Sequence, residues 1–220
     1  PSRVGIERIP GGIGSGSANR SLVVITKRPS TGSLADRVQK GHRTRHSQCH
    51  PKGQTVTPIK HVVFDIGRVL ITWDPDAPYR RLIPDDAERT HFLANICSSA
   101  WNLEQDRGRP WAEAEALLIA DHPNHEANIR AYRKHWREMV ASDIPETVAI
   151  MREVMASGMD VTLLTNFAAD TFREAQVMYP FLTETRGVTV SGEVKVLKPD
   201  PQIYRIHTEG FSLDPPATLF

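Results

Sequence analysis

The chain has 220 residues, 40% hydrophobic and 24% charged, a balance that suits one soluble domain, or one domain with a small insert. No run of eighteen apolar residues occurs, which excludes a membrane-spanning helix and predicts no membrane partner. The formal charge of +1 conceals two unlike parts: residues 1–60 carry eleven Lys/Arg against Glu7 and Asp36, net +9, and the other 160 carry 16 basic against 24 acidic side chains, net −8.

Residues 1–58 are rich in Gly, Ser, Pro, Arg and His, with a single short apolar run, Leu22-Val23-Val24-Ile25. Such a segment buries too little apolar surface to offset the entropy of ordering it. It reads as a disordered basic tail with an isolated strand over 22–26. "GGIGSGSANR" fits no phosphate-loop register and follows no strand. "HRTRHSQCH" gathers His42, His46, Cys49 and His50, but no second ligand pair accompanies them, so a solvated tail is favoured over zinc. The acid-poor composition suits a transit peptide, a basic arm for nucleic acid or a fused leader alike. No aromatic residue lies in 1–58, which argues against nucleic acid as a partner. Cys49 and Cys97 stand far apart, as expected of a reduced, cytoplasmic protein.

From Ile59 the periodicity is clear. Residues 61–65 predict a buried strand. Helices follow over 85–96, over 110–121 with Trp111, Ala114, Leu117 and Leu118 on one face, and over 124–141 with Ile129, Tyr132, Trp136 and Val140. Residues 145–157 form a helix with Pro145 in its first turn and Gly158 as its stop. "DVTLLTN" (160–166) is a second strand, 168–178 a helix, "GVTVSGEV" (187–194) strand and turn, 200–209 a helix, and "ATLF" (217–220) the start of a further strand. Strands alternating with helices predict an α/β fold: a Rossmann-like parallel sheet with helices on both faces. The expected division is a tail over 1–58, a core over 59–75 and 142–220, and a helical cap inserted over 76–141.

In an open parallel sheet, ligands bind outside the carboxyl ends of the strands. Asp65 ends the first strand, Thr165 and Asn166 end the second, and Lys198 stands in the loop after the third. A carboxylate, a hydroxyl with an amide, and an ammonium would converge on one crevice. "VVFDIGRVL", "VTLLTN" and "VKVLKPDPQIY" resemble, in order and spacing, the first three motifs of the haloacid dehalogenase-like hydrolases, over about residues 59–220. "WNLEQDRG" (101–108) is similar to a cap segment of a branch of small sugar-phosphate phosphatases whose first motif reads D-x-G.

The resemblance implies a phosphatase acting on a small phosphorylated molecule. Asp65 would be the nucleophile that forms an aspartyl phosphate, Lys198 the fixed positive charge, and Thr165 a donor to a phosphoryl oxygen. Mg²⁺ would be held by Asp65 and the carbonyl of Gly67. Asn166 and Trp73 are candidate substrate contacts, as are Glu104, Asp106 and Arg107 from the cap. Asp200 either orients Lys198 or caps the next helix. Trp101, Trp111 and Trp136 are favoured as core anchors over substrate platforms.

Two departures from the pattern stand out. Gly67 occupies the place of a second Asp that serves as general acid and base in most phosphatases of the superfamily, a loss that typically costs ~10²–10⁴-fold in rate. Dehalogenases also lack that acid, attack carbon and need no metal, so a 2-haloacid dehalogenase is the enzyme alternative. The chain also stops at "PPATLF", before the acid pair of the family's fourth motif. A truncated hydrolase, with weak metal affinity, little turnover and an uncovered sheet face, is the expectation. An inactive remnant or interaction module using the basic arm is the non-enzyme alternative.

Overall fold

The computed structural model describes residues 4–9, 22–27 and 57–220. Two units result, Pro1–Val56 and Thr57–Phe220. In the first, β1 (Val4–Ile9) pairs antiparallel with β2 (Leu22–Lys27), Ile6 opposite Ile25. The strand expected over 22–26 therefore exists but is not isolated: Val4–Ile9 pairs with it. The remaining readings of the tail, including the glycine-rich and His/Cys clusters, lie outside the described residues.

The second unit is built on a four-stranded parallel sheet in the order β5-β4-β3-β6. The strands are β3 (His61–Phe64), β4 (Asp160–Thr165), β5 (Val188–Val190) and β6 (Thr218–Leu219). Phe64 sits opposite Leu163, Leu163 opposite Val188, and His61 opposite Thr218. β3 and β4 are buried on both faces, which is why they read as continuous apolar runs rather than alternating ones. One face packs Val62, Phe64 and Leu163 against Val148, Met151 and Val154 of α7 (Pro145–Ala156). The other packs Val63 and Leu164 against Ile203 of α10 (Pro201–Gly210) and Leu213. The uncovered apolar face expected from the sequence is thus closed over the central strands by α10.

Between β3 and α7 the chain forms helices only: α1 (Asp76–Leu82), α2 (Asp86–Asn95), α3 (Ser99–Asp106), α4 (Trp111–Asp121), α5 (Glu126–Lys134) and α6 (Trp136–Met139). Asp85 and Ser98 cap α2 and α3 through the N–H groups of Glu88 and Trp101. The helix expected over 124–141 is broken. Pro123–His125 forms a 3₁₀ turn, and His135 (φ −104°, ψ 15°) leaves helical geometry between α5 and α6. A half-turn interruption hardly disturbs a 3.6-residue pattern, so periodicity runs through it.

These helices have their own core, in which Tyr79, Phe92, Ile129, Tyr132 and Met139 are buried together. The two connections to the sheet run side by side. Thr72 N–H donates to Ser142 O at 2.9 Å and Ile144 N–H to Leu70 O at 2.9 Å. After β4 come α8 (Ala169–Met178), the 3₁₀ turn Pro180–Thr183, β5, α9 (Ser191–Val194), α10 and the turn Pro215–Ala217 before β6. Among the described residues no helix is long and apolar enough to cross a membrane.

Candidate active site

The strand order reverses between β3 and β6, and a parallel sheet opens a crevice at such a point, outside the strand ends. Asp65 follows β3 directly. Its Oδ1 lies 2.7 Å from Lys198 Nζ and accepts the Ile66 N–H at 2.8 Å. Lys198 Nζ also donates to Leu164 O at 2.9 Å, one residue before the end of β4. The lysine side chain is 18% exposed and the aspartate 42%, so the ammonium is held inside while the carboxylate meets the crevice. Carboxylate, strand end and ammonium, distant in sequence, do meet.

Asn166 binds the same lysine from the other side. Its Nδ2 donates to Lys198 O at 3.0 Å, and its Oδ1 accepts the Lys198 N–H at 2.7 Å. Through these two bonds Asn166, read from sequence as a substrate contact, also fixes the loop that carries Lys198. Thr165 is 1% exposed at the end of β4, its hydroxyl 3.5 Å from Asn166 O. Asp200 caps α10, its Oδ1 accepting the Gln202 N–H at 2.8 Å, which gives the capping alternative.

A cavity of about 290 Å³ lies over Asp65, Asn166 and Lys198; Thr165 is not among the residues that line it. Asp65, Gly67, Asn166 and Lys198 line it from the sheet, and Trp73, Ser99, Asn102 and Asp106 from the helical segment. Trp111 and Trp136 anchor the two apolar cores and reach the cavity as well, so for them the two readings of a tryptophan are not exclusive. Glu104 and Arg107 do not line it. Their half-exposed side chains pair with each other at 3.6 Å.

The residues that reasoning from sequence missed are Arg68, Ser99 and Asn102. Arg68 lines the cavity from a left-handed backbone position (φ 60°). Asn102 stands one turn before Asp106 on α3 and donates to its Oδ2 at 3.0 Å. The serine cap at 98 was the signal: a helix starting there puts 102 and 106 on one face, and 104 and 107 on another.

The Asp106 carboxyl is pushed far from its ordinary range. Burial raises it to about 7, partly offset by a bond from the Ala168 N–H. Its backbone is tied to the sheet domain, since Ser191 Oγ donates to Asp106 O at 2.5 Å. Two residues on, Gly108 (φ +106°) lets the turn lie against α9; a Cβ there would meet Lys195 Nζ at 2.1 Å and Gly192 O at 2.8 Å. Cys97, the described cysteine, is buried, and burial pushes its thiol up, away from nucleophilic use.

Magnesium takes hard oxygen donors, and Asp65 and Gly67, which would hold it, both line the cavity. Among the described residues no group of three or more His, Cys, Asp or Glu gathers to hold a metal.

No family model matches the chain, and no curated protein matches it. Solved structures do. A HAD-family enzyme, BT-2542 of Bacteroides thetaiotaomicron, is 22% identical over 74% of this chain and 83% of its own, with a TM-score of 0.53. That enzyme has also been solved in complex with magnesium and inorganic phosphate. A HAD-like family hydrolase of Porphyromonas gingivalis is 17% identical over 74% of this chain and 82% of its own, TM-score 0.56. The L-2-haloacid dehalogenase of Xanthobacter autotrophicus, with chloropropionic acid covalently bound, is 20% identical over 74% of this chain and 69% of its own, TM-score 0.52. By its likeness to these structures, the chain has the haloacid dehalogenase-like fold.

Proposed function

We propose that the protein hydrolyses a small phosphomonoester through an aspartyl phosphate formed on Asp65. The observation that carries this reading is the Asp65–Lys198 contact of 2.7 Å at the cavity floor. A carboxylate and a phosphate dianion repel each other, and a fixed ammonium beside the nucleophile offsets that repulsion before contact. Asp65 attacks phosphorus, the ester oxygen leaves, and water then cleaves the acyl phosphate to return the carboxylate. Thr165, at the adjoining strand end, is proposed to donate to a phosphoryl oxygen. Magnesium is the proposed cofactor, held by Asp65 and the Gly67 carbonyl; when bound it supplies positive charge to the phosphoryl group. The BT-2542 complex with magnesium and inorganic phosphate, on the same fold, supports that choice. The proposed partner is therefore a small phosphorylated molecule, and the proposed location is the cytoplasm.

Gly67 favours a second reading, because a 2-haloacid dehalogenase needs no second acid beside its nucleophile, and one such enzyme shares the fold. The experiment offers phosphomonoesters and 2-haloacids to the full chain, with and without a chelator. The expected outcome is phosphate release that the chelator abolishes, and a fall on the order of 10³-fold or more in Asp65→Asn at an unchanged melting temperature. Halide release indifferent to chelator would give the dehalogenase. An Asp65→Asn variant identical to wild type in both assays would leave neither.

A further inference from the structure

We infer that Asp106 is a catalytic residue that exchanges the proton Gly67 cannot, protonating the leaving oxygen and then accepting a proton from the attacking water. This inference rests on the phosphatase reading above and assigns a group to its missing step. The space beside Gly67 is open: a Cβ built there meets nothing within 4 Å. No neighbouring side chain therefore fills the place where a second acid would stand, and the proton must come from another wall of the cavity. Asp65 enters from the strand ends, and in an in-line displacement the ester oxygen departs on the far side of phosphorus. The helical wall lies there, and among the cavity-lining residues Asp106 is the carboxyl which that wall supplies.

The side chain is held for the task. Asn102 Nδ2 donates to Oδ2 at 3.0 Å, the Ala168 N–H bonds the carboxyl, and Ser191 Oγ pins the Asp106 carbonyl at 2.5 Å. These ties fix a helix-borne acid to the sheet domain that carries the nucleophile, the placement on which proton transfer depends. The charged and titratable groups facing it are few. The Tyr132 hydroxyl comes from α5, Asp65, Arg68 and Lys198 share the cavity, and Lys195 is bound to Gly108 O at 3.2 Å. Burial moves the Asp106 carboxyl to about 7, where acid and base forms are both populated near neutrality.

The steps balance. An Asp65 oxygen bonds to phosphorus as the ester P–O bond breaks, and the departing oxygen takes the Asp106 proton. Water then attacks phosphorus, gives a proton to the Asp106 carboxylate, and the acyl P–O bond breaks. Phosphate leaves, Asp65 is again a carboxylate and Asp106 is again an acid.

The test compares Asp106→Asn with wild type on a primary alkyl phosphate and on p-nitrophenyl phosphate, whose phenolate leaves without a proton. Expected is a loss of ~10²–10⁴-fold on the alkyl ester, with an intact first burst of nitrophenolate followed by a slowed steady state. The basic limb of the alkyl-ester pH profile, near pH 7, should vanish in the variant and persist, shifted, in Asp106→Glu. Equal losses on both esters including the burst, or no loss on either, would overturn the assignment while leaving the phosphatase reading intact. If Asp106→Asn does not fold, wild type decides. A shallow dependence of burst rate on leaving-group pKa across aryl esters supports protonation, and a steep one overturns it. A wild-type chain that releases no phosphate removes both readings together.

Discussion

Asn166 makes two bonds that hold Lys198, which makes it a positioning residue. The pair is demanding, because one side chain must donate to the carbonyl and accept from the N–H of the same residue. Asn166→Ala should leave both backbone groups without partners, a cost of about 1–3 kcal/mol. It should also let Lys198 drift from Asp65. A shift on the order of 1 Å in such a group can lower turnover ~10²-fold. The expected signature is a fall in kcat with a smaller change in KM, because the lysine moves relative to the reacting atoms more than the cavity changes shape. Asn166→Asp keeps the acceptor and loses the donor, and should fall between the two. A phosphatase assay on the three proteins, with melting curves, checks the order; equal kcat in all three would show that Lys198 is held by Asp65 and Leu164 O alone.

At the scale of elements, α10 carries a second polar contact, remote from the cavity. His207 is fully buried between Thr162 Oγ1 and Thr189 Oγ1, each 2.9 Å away, so the helix grips β4 and β5 through one imidazole. Burial first, and the charge of Arg186 second, lower its pKa from 6.5 to about 4, with Asp160 opposing. The unfolded chain therefore takes up this proton near pH 6.5, and the folded chain only near 4. Stability from the site is complete above pH 6.5 and is lost as pH falls through 4, a swing on the order of 3 kcal/mol. Urea melts at pH 7 and 4.5 should show a steeper loss in wild type than in His207→Gln, which starts lower and changes less; parallel losses would assign the acid sensitivity to carboxylates instead.

Legibility in the sequence followed the same physics. β3, β4, α7 and α10 are plain because burial on two sheet faces, or on one helix stripe, forces residue type at every position. The acid after β3 and the lysine loop were legible for that reason, as interruptions of apolar runs. α3 was not, because the burial of Gln105 contradicts what its polarity suggests, and nothing in their polarity separates Asn102 and Asp106, which line the cavity, from Glu104 and Arg107, which do not. The break at His135 was hidden because it shifts the stripe by less than the pattern resolves.

Over the whole Thr57–Phe220 unit, two apolar cores meet, and the cavity lies where they do. Tyr79, Phe92 and Tyr132 close one; Val62, Leu163 and Met151 close the other; Trp73 packs against both. Apolar packing also crosses between them, through Trp73, Trp136 and Ala168, and polar ties across α8 add to it. Trp111 Nε1 donates to Asp170 Oδ1 at 3.2 Å. Glu174 accepts from Arg133 Nη2 and from Arg137 Nε, the latter at 3.0 Å. Burial pushes the Glu174 carboxyl up, but the two guanidiniums outweigh it and hold the group below the usual carboxylate range. The carboxylate is thus charged and doubly bonded at neutral pH, a stronger arrangement than a single exposed pair. Removing it should loosen docking more than folding, because neither core loses an apolar contact. Glu174→Ala is expected to cost about 1–2 kcal/mol, because Arg137 loses its acceptor and Arg133 keeps only Asp170 at 3.6 Å, at a partly exposed site. The loss should appear first as faster amide exchange in the paired connections at 70–72 and 142–144. KM for a phosphomonoester should rise severalfold, because the helical wall of the cavity would spend less time in place, with the burst rate of bound ester changed little. If exchange instead quickened evenly through β3 and β4, Glu174 would be holding the sheet together and not the seam between the two cores.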